Sequence, residues 1–300
     1  MRTATLSVAA VLAGSAMAAE CSKGLHIIVG RGTFEPAGLG ETGALAKNIS
    51  DAIPGSSIVA VNYPATLSNP SYEVSEKNGT QDVYDQVTKY HQDCPGHKMA
   101  YLGWSQGAQI AVNAFCGGQG SIFGDNAPIP ADAVKDVVAI AIFGDPSFNH
   151  TAPYTKGTST ADGLFVRDGI GACANFTDKI VSYCDTGDVY CSSGNNSKVH
   201  GLYLVKYPEQ MEKFVLEGYD KATGNSTSGS NTTTTTTTTT TAGPTTTAGA
   251  TSSGSGSGSS TSSASATPTT ASNKNAAAGM TTGLKYAVPA ALVAAAQMLL

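Results

Sequence analysis

The stretch 98–107 reads KMAYLGWSQG and carries the strongest indication of the fold. Its first part, Lys98 to Leu102, is an apolar run that predicts a buried strand, and Gln106 to Phe115 is rich in Ala, Ile and Val and predicts a helix. The motif G-x-S-x-G at 103–107 stands at the junction of the two. A sharp turn at such a junction presents its serine as a nucleophile, so Ser105 is the candidate nucleophile. The competing interpretation, a serine that caps the helix, is compatible with the same turn.

The rest of the chain from about 21 to 222 alternates between strand-like and helix-like segments. The predicted strands are 25–29, 57–61, 98–102, 136–143 and 179–183, and the predicted helices are 43–53, 72–90, 106–115 and 208–219. Short apolar strands that alternate with helices indicate a parallel sheet that is covered on both faces. We therefore predict the α/β class, a three-layer α/β/α sandwich around a central, mainly parallel sheet.

The candidate base follows from the order of residues in hydrolases with this serine turn, which is Ser, then Asp or Glu, then His. His200 is the histidine that lies far enough downstream of Ser105. The other four are placed in a strand, beside a cysteine or in a glycosylation sequon: His26, His91, His97 and His150.

The candidate acid is Asp188, which lies between Cys184 and Cys191 just after the predicted strand 179–183. A disulfide closing so small a loop would hold the carboxylate in place, and an oriented carboxylate keeps the histidine in the required tautomer. Asp185 is an alternative in the same loop. Asp145, at the end of another strand, is a weaker one.

The backbone N–H of Gln106, the residue after the serine, is the first candidate donor of an oxyanion hole. The second donor should come from the loop after the first strand, which reads RGTFE at 31–35, and Thr33 is the candidate there. The alternative for this loop is an ordinary glycine turn.

Both ends of the chain carry addressing signals. Residues 1–18 combine Arg2, an apolar run and an Ala-Met-Ala cleavage site, so we predict a signal peptide. Residues 223–274 are mostly Ser, Thr, Gly and Ala, which predicts a disordered, O-glycosylated stalk. Residues 275–300, with small residues, a spacer and an apolar tail, predict a GPI-attachment signal with Asn275 as the attachment site. A true transmembrane helix is the alternative, but the tail is short and contains Pro289.

Composition limits the function classes. The net charge of −5 and the few Lys and Arg argue against a nucleic-acid partner. An even count of six cysteines behind a signal peptide, with no C-x-x-C pair, favours disulfides over a metal site, and no metal or cofactor is implied. N-glycosylation sequons occur at Asn48, Asn78, Asn149, Asn175 and Asn195.

From about Cys21 to Tyr219 the chain resembles the cutinase family, the small lidless α/β-hydrolases that include cutinases and acetylxylan esterases. The resemblance rests on the loop 31–35, on Cys94-Pro95 ahead of the serine motif, on the loop 184–191 and on His200. It implies Ser105, Asp188 and His200 as the triad and Thr33 with Gln106 as the oxyanion hole. It also implies the disulfides Cys21–Cys94 and Cys184–Cys191, and Cys116–Cys173 follows by subtraction.

The resemblance implies a secreted, monomeric serine esterase that acts on an ester-bearing extracellular polymer or lipid, such as cutin or a similar polyester. Two departures are visible: Trp104 stands where the family usually has Tyr, and Thr33 where cutinases often have Ser. The loop 192–198 is polar, whereas cutinases line this rim with apolar residues, so a polysaccharide deacetylase of the acetylxylan esterase type is an alternative. A non-catalytic surface adhesin or wall protein is the alternative from another class, supported by the stalk and the anchor.

Overall fold

The computed structural model describes residues 20–225 of the 300-residue chain. The predicted signal peptide, the GPI-attachment signal with Asn275, and all but the first residues of the predicted stalk lie outside the described residues. Within 20–225, no helix is long and apolar enough to cross a membrane.

The centre of the fold is a sheet whose six strands all pair in parallel. Its strands are β1 Leu25–Gly30, β2 Ser57–Ala60, β3 Lys98–Trp104, β4 Val137–Phe143, β5 Thr155–Lys156 and β6 Ile180–Tyr183. They lie in the order β2-β1-β3-β4-β6-β5, so β3 is central and pairs with β1 and β4. In such a sheet the carboxyl ends of the strands share one edge, and loops at that edge form the site.

Helices cover both faces of this sheet. They are α1 Gly43–Ala52, α2 Tyr72–Asp93, α3 Gln106–Cys116, α4 Ala131–Asp136, α5 Ser197–His200, α6 Tyr203–Lys206 and α7 Pro208–Thr223. Successive strand residues face opposite sides, so Tyr101 of β3 packs with the cluster that includes α2 and α3. Leu102 packs with the cluster that includes α1 and α7. The predicted α/β/α sandwich with a mainly parallel sheet is confirmed.

The predicted elements are present, with small shifts at their ends. α7 continues four residues beyond the predicted end at 219, and the predicted strand at 136–143 begins one residue late because residues 131–136 form α4. The short elements α4, α5, α6 and β5, and the 3₁₀ turns Gly171–Asn175 and Thr177–Lys179, were not predicted. Elements of two to six residues have too few positions to show a periodicity.

Three disulfides link the described cysteines in the predicted pairs, Cys21–Cys94 and Cys184–Cys191 from the resemblance and Cys116–Cys173 by subtraction. The first closes a sequence separation of 73 residues and ties the start of the domain to the end of α2. The third spans only 7 residues and encloses Asp188. No free cysteine is left among the described residues.

Candidate active site

Ser105 stands between the last residue of β3 and the first residue of α3, and its backbone is strained. Its φ of 55° and ψ of −120° lie outside the regions that L-residues with a side chain favour. Its N–H donates to the carbonyl of Phe143 at 3.0 Å, and the Ser105 carbonyl accepts from the N–H groups of Ala108 and Gln109. The strained turn is therefore held by β4 on one side and by α3 on the other, which points the side chain toward the sheet edge.

Glycine flanks this turn because neighbouring backbone comes very close. A Cβ on Gly107 would lie 2.2 Å from the carbonyl oxygen of Gly30 at the end of β1. A Cβ on Gly103 would lie 2.7 Å from the carbonyl oxygen of Gly107. Both glycines of the motif are thus required by the close approach of β1, β3 and α3, and the serine turn depends on that packing.

The imidazole of His200 lies within hydrogen-bond distance of Ser105. Its Nε2 is 2.8 Å from the serine Oγ, and its Nδ1 is 2.9 Å from Oδ2 of Asp188. A tautomer with the proton on Nδ1 donates to the carboxylate and leaves Nε2 free to accept from the serine hydroxyl. The ring is buried, with 7% of the residue exposed, so these contacts form largely out of water.

Asp188 is fully buried and receives several donors. Oδ1 accepts from the N–H groups of Tyr190 at 2.8 Å and Cys191 at 3.2 Å, and Oδ2 also accepts from the Tyr203 hydroxyl at 2.7 Å. Burial by itself raises the pKa of Asp188, but the hydrogen bond and charge of His200, together with these donors, outweigh burial and hold the pKa below its usual value. The carboxylate therefore stays ionised beside the imidazole.

Tyr203, which no sequence motif singles out, is almost fully buried beside Asp188. Its hydroxyl donates to Asp188 and accepts from the N–H of Asp185 at 3.0 Å. Its position three residues after His200 is visible in the sequence, but a tyrosine at that spacing has no specific meaning by itself.

The alternative acids lie elsewhere. Asp185 forms an ion pair with Lys206 and accepts from the Tyr207 hydroxyl at 2.8 Å, so its carboxylate bonds to these groups and not to His200. Asp145 is buried and accepts from the N–H and hydroxyl of Ser147.

Four of the five histidines bond to other partners: His26 to Ser57, His91 to Asp136, His97 to the Ser22 carbonyl and His150 to Asp162.

The two candidate oxyanion donors have unused backbone N–H groups. Within residues 20–225, the N–H of Thr33 and the N–H of Gln106 donate to no acceptor. The Gln106 N–H belongs to the first turn of α3, where helix N–H groups have no partner inside the helix. Gln106 follows Ser105 in the chain, and Thr33 follows Gly32, which packs against the Trp104 ring. An N–H group without an acceptor is free to bind a developing negative charge on a carbonyl oxygen.

The loop that carries Thr33 is fixed by charged side chains. The buried guanidinium of Arg31 donates to the carbonyls of Glu35 and Val61. The carboxylate of Glu35 accepts from the N–H of Gly32, and also from that of Glu41 at 2.7 Å. These hydrogen bonds link residues before Thr33 to residues after it, so the loop is held in place although it contains no helix or strand.

Within residues 20–225, no group of three or more His, Cys, Asp or Glu side chains is arranged to hold a metal ion.

Comparison with known proteins agrees with this geometry. The model of the cutinase family matches residues 21–219. The chain belongs to the cutinase family. Like its relatives, it is a carboxylic ester hydrolase.

Cutinase 11 of Verticillium dahliae is 35% identical over 226 residues, which cover 72% of this chain and 76% of that protein. Acetylxylan esterase 2 of Talaromyces purpureogenus is 32% identical, over 70% of this chain and 93% of that protein. Among solved structures, the catalytic core domain of acetyl xylan esterase from Trichoderma reesei matches with a TM-score of 0.63 and 35% identity. That match covers 66% of this chain and all of that domain.

The surroundings of the triad in this cutinase-family chain combine aromatic and polar groups. The Tyr190 ring lies 4.5 Å from the His200 ring, and the Trp104 ring lies 5.4 Å from it on another side. The loop 192–198, between acid and base, is largely exposed and polar. Phe34, next to Thr33, is 61% exposed and has a φ of 69°. The rim is thus apolar near the oxyanion donors and polar in the loop before His200.

Proposed function

We propose that this chain is a secreted serine esterase that hydrolyses carboxylic esters of an extracellular polymer, cutin or a similar polyester, through an acyl-enzyme on Ser105. The observation that carries this proposal is the continuous line of hydrogen bonds from the Ser105 hydroxyl through His200 to Asp188. It begins at the strained serine and ends at a buried carboxylate, and we take the N–H groups of Thr33 and Gln106, which have no acceptor within residues 20–225, as the donors to the oxyanion.

In the first half-reaction, Nε2 of His200 takes the proton of Ser105 while Oγ forms a bond to the ester carbonyl carbon. The electron pair of the carbonyl moves onto its oxygen, which accepts from the N–H groups of Thr33 and Gln106. The carbon–oxygen bond to the alcohol then breaks, and His200 returns its proton to the departing alkoxide. Asp188 stabilises the imidazolium in both directions.

In the second half-reaction, water replaces the alcohol. His200 removes a proton from the water as its oxygen bonds to the acyl carbon, and the same donors hold the second oxyanion. The bond to Oγ breaks, Oγ takes the proton back from His200, and the carboxylic acid leaves. The cycle regenerates the enzyme and uses only ester and water.

A second candidate function, removal of acetyl groups from a polysaccharide, is favoured by the space around the base. The Tyr190 ring is half-buried and its centroid lies 4.5 Å from that of the His200 ring, so it narrows the space beside the base, which favours a small acyl group such as acetyl. The polar loop 192–198 offers hydrogen-bond partners to a sugar. The catalytic steps are the same for both candidates, which differ only in the acyl and alcohol groups that the rim accepts.

The experiment is hydrolysis of a p-nitrophenyl ester series, from acetate to long acyl chains, by the protein secreted from a yeast host. Ser105→Ala is the control. Activity that disappears in the control supports the serine mechanism, and a maximum at long chains supports a polyester substrate. A maximum at acetate supports the deacetylase. A folded, disulfide-bonded protein without activity at any length would leave the surface adhesin as the remaining function.

The location follows from the two addressing signals, and we infer export through residues 1–18 and a GPI anchor at Asn275 that holds a monomeric enzyme at the cell surface. The stalk would place the esterase domain outward from the membrane or wall. Release of activity from cells by a phosphatidylinositol-specific phospholipase, and its loss when Asn275 and its neighbours are replaced, would support the anchor. Activity that is fully in the medium from the start would contradict it.

N-glycans are proposed at the five sequons within residues 21–222: Asn48, Asn78, Asn149, Asn175 and Asn195. All but Asn149 are exposed. The Asn149 amide nitrogen already donates to the carbonyl of Arg167 at 3.3 Å, so a glycan there would replace a contact of the folded domain. Mass spectrometry of peptides before and after enzymatic deglycosylation would show which sites are occupied.

A further inference from the structure

The base is carried by an element with little stability of its own. His200 is the last residue of α5, which has only four residues, and a helix of one turn is not stable without tertiary contacts. The C-terminal carbonyls of a helix also need partners from outside it. The N–H of Gly201 bonds to the carbonyls of Lys198 and Val199, so these two have partners.

The His200 carbonyl is bonded by a side chain that is distant in sequence. The indole Nε1–H of Trp104 donates to it at 3.1 Å, across 96 positions of the chain. Trp104 is the last residue of the central strand β3 and stands directly before Ser105. Its backbone is paired in register with Phe143 of β4, so the donor extends from a strand that pairs with neighbours on both sides.

The same indole contacts the loop of the oxyanion donor. A Cβ on Gly32 would lie 2.6 Å from Cε3 of Trp104, which shows that the loop before Thr33 passes directly over the six-membered ring. The other end of the indole lies beside the imidazole, with 5.4 Å between the ring centroids. One side chain therefore adjoins the nucleophile, the base and the oxyanion loop.

We propose that Trp104 is a positioning residue for the base, whose indole N–H holds the backbone of His200 at the distance that brings Nε2 to Ser105. The proposal rests on the proposed function and adds a residue to that site. Without the bond, α5 keeps its tie to Asp188 only through the imidazole, and the ring can move away from the serine. Misplacement of a catalytic group by about 1 Å can cost on the order of a hundredfold in rate.

The test exploits the fact that Trp104 is the only tryptophan of the chain. Replacing tryptophan throughout the full chain by β-(3-benzothienyl)alanine puts sulfur in place of the indole N–H and changes nothing else. Trp104→Phe is the second variant, which also removes the indole N–H. It serves as the test protein if the benzothienyl protein does not fold. Leu204→Ala is the matched control, because Leu204 packs in the same cluster as Trp104 and does not bond to His200.

We expect the benzothienyl protein to show a kcat about tenfold lower per active site, counted with a phosphonate that titrates Ser105, while KM stays within twofold. Leu204→Ala should keep kcat within twofold even if its Tm falls. The downfield NMR signal of the Nδ1 proton between His200 and Asp188 should broaden in the benzothienyl protein and stay sharp in the control.

A kcat per active site within twofold of the unmodified chain, with an unchanged Nδ1 proton signal, would overturn the proposal. So would an equal loss in Leu204→Ala, since packing alone would then explain the effect. Failure of the proposed function is a separate result, because it shows as a lack of Ser105-dependent hydrolysis in the unmodified chain. The Nδ1 proton signal still tests the positioning of His200 in that case.

Discussion

The hydroxyl of Tyr203 lies 2.7 Å from Oδ2 of Asp188, the same oxygen that lies 2.9 Å from Nδ1 of His200. The tyrosine is 1% exposed, so this hydrogen bond forms out of water. Its hydroxyl also accepts from the N–H of Asp185, which fixes the direction in which it donates. A fixed donor to the oxygen that His200 also contacts restricts rotation of the carboxylate, so Tyr203 supports the line of hydrogen bonds that ends at Asp188.

Replacing Tyr203 by Phe should therefore lower kcat about tenfold, a barrier increase of roughly 1.4 kcal/mol, with little change in KM. The carboxylate loses one donor and can rotate, and the N–H of Asp185 is left buried without its partner. Loss of that partner should also reduce the free energy of unfolding by about 1 to 3 kcal/mol. Steady-state kinetics on a p-nitrophenyl ester and a denaturant titration measure the two effects.

Tyr207→Phe is the matched control for this prediction. The Tyr207 hydroxyl donates to Oδ1 of Asp185 at 2.8 Å. Tyr207→Phe therefore also loses a hydrogen bond from a tyrosine to a carboxylate, but not one to Asp188. Stability should fall and kcat should stay within twofold. An equal fall of kcat in both variants would mean that Tyr203 has no specific effect on Asp188.

The strain at Ser105 gives a second prediction, which concerns stability. Ser105→Ala and Ser105→Gly should both be inactive, but the Gly variant should be more stable than the Ala variant by about 1 to 2 kcal/mol. Glycine accepts a φ of 55° without a clash, whereas alanine keeps the strain of the native turn. Ala44→Gly, at an exposed position in α1, is the control: glycine should lower the free energy of unfolding there, because it is a poor helix former. Equal stabilities of the two Ser105 variants would show that the turn at Ser105 is not strained.

The sequence predicted the fold well because the sheet is buried on both faces. Strands such as β4 read as unbroken apolar runs, and the helices between them are long enough to show their periodicity. The nine predicted elements are present with ends shifted by a few residues. β5 and α4 to α6 were missed because elements this short depend on tertiary contacts, as α5 depends on the bond from Trp104.

The site was predictable to the extent that motif and chain order determine it. Ser105, Asp188 and His200 were named from the serine turn, the cysteine-bounded loop and the position of one histidine, and the structure brings the three together. Tyr203 and the indole bond of Trp104 were not predicted, since each is a hydrogen bond whose geometry depends on side-chain directions. A sequence spacing specifies which residues are near, but not which atom a hydroxyl or an indole N–H will meet.

The disulfides give a third prediction: of two disulfide bonds, removal of one should lower stability more, and removal of the other should lower activity more. Removing Cys184–Cys191 by double Ala substitution should cost about 2.5 kcal/mol of stability, and removing Cys21–Cys94 about 4.5 kcal/mol, because the second closes the longer loop. Only the loop closed by Cys184–Cys191 contains Asp188. The N–H of Cys191 donates to that carboxylate, so we expect kcat to fall at least tenfold in the variant without this disulfide.

The variant without Cys21–Cys94 should keep kcat within twofold when it is assayed well below its Tm. Thermal unfolding and kinetics on the two double variants, expressed and assayed side by side, check the order. If the more destabilised variant were also the less active one, the small loop would have no specific role at Asp188.

A buried carboxylate away from the triad makes stability depend on pH. Glu76 in α2 is 1% exposed, and its Oε1 accepts from the Thr80 hydroxyl and from the Asn113 amide, both at 2.6 Å. Burial raises the pKa of Glu76 from 4.5 to about 7, and the two hydrogen bonds only partly oppose that rise. In the unfolded chain the group is in water and titrates near its ordinary value.

Between pH 4.5 and about 7 the folded protein therefore binds a proton that the unfolded chain has released, so this group makes stability fall as pH rises through that window. Glu76→Gln keeps an acceptor for Thr80 and Asn113 and cannot ionise. Its stability relative to the native chain should increase by about 3 kcal/mol from pH 4.5 to pH 7 and stay level above. Burial also raises the pKa of Asp145 to about 6, but this group is present in both the native chain and the variant, so its effect on stability cancels when the two are compared. Denaturant unfolding at a series of pH values measures this difference, and a difference that is constant with pH would show that Glu76 is not buried as a neutral acid.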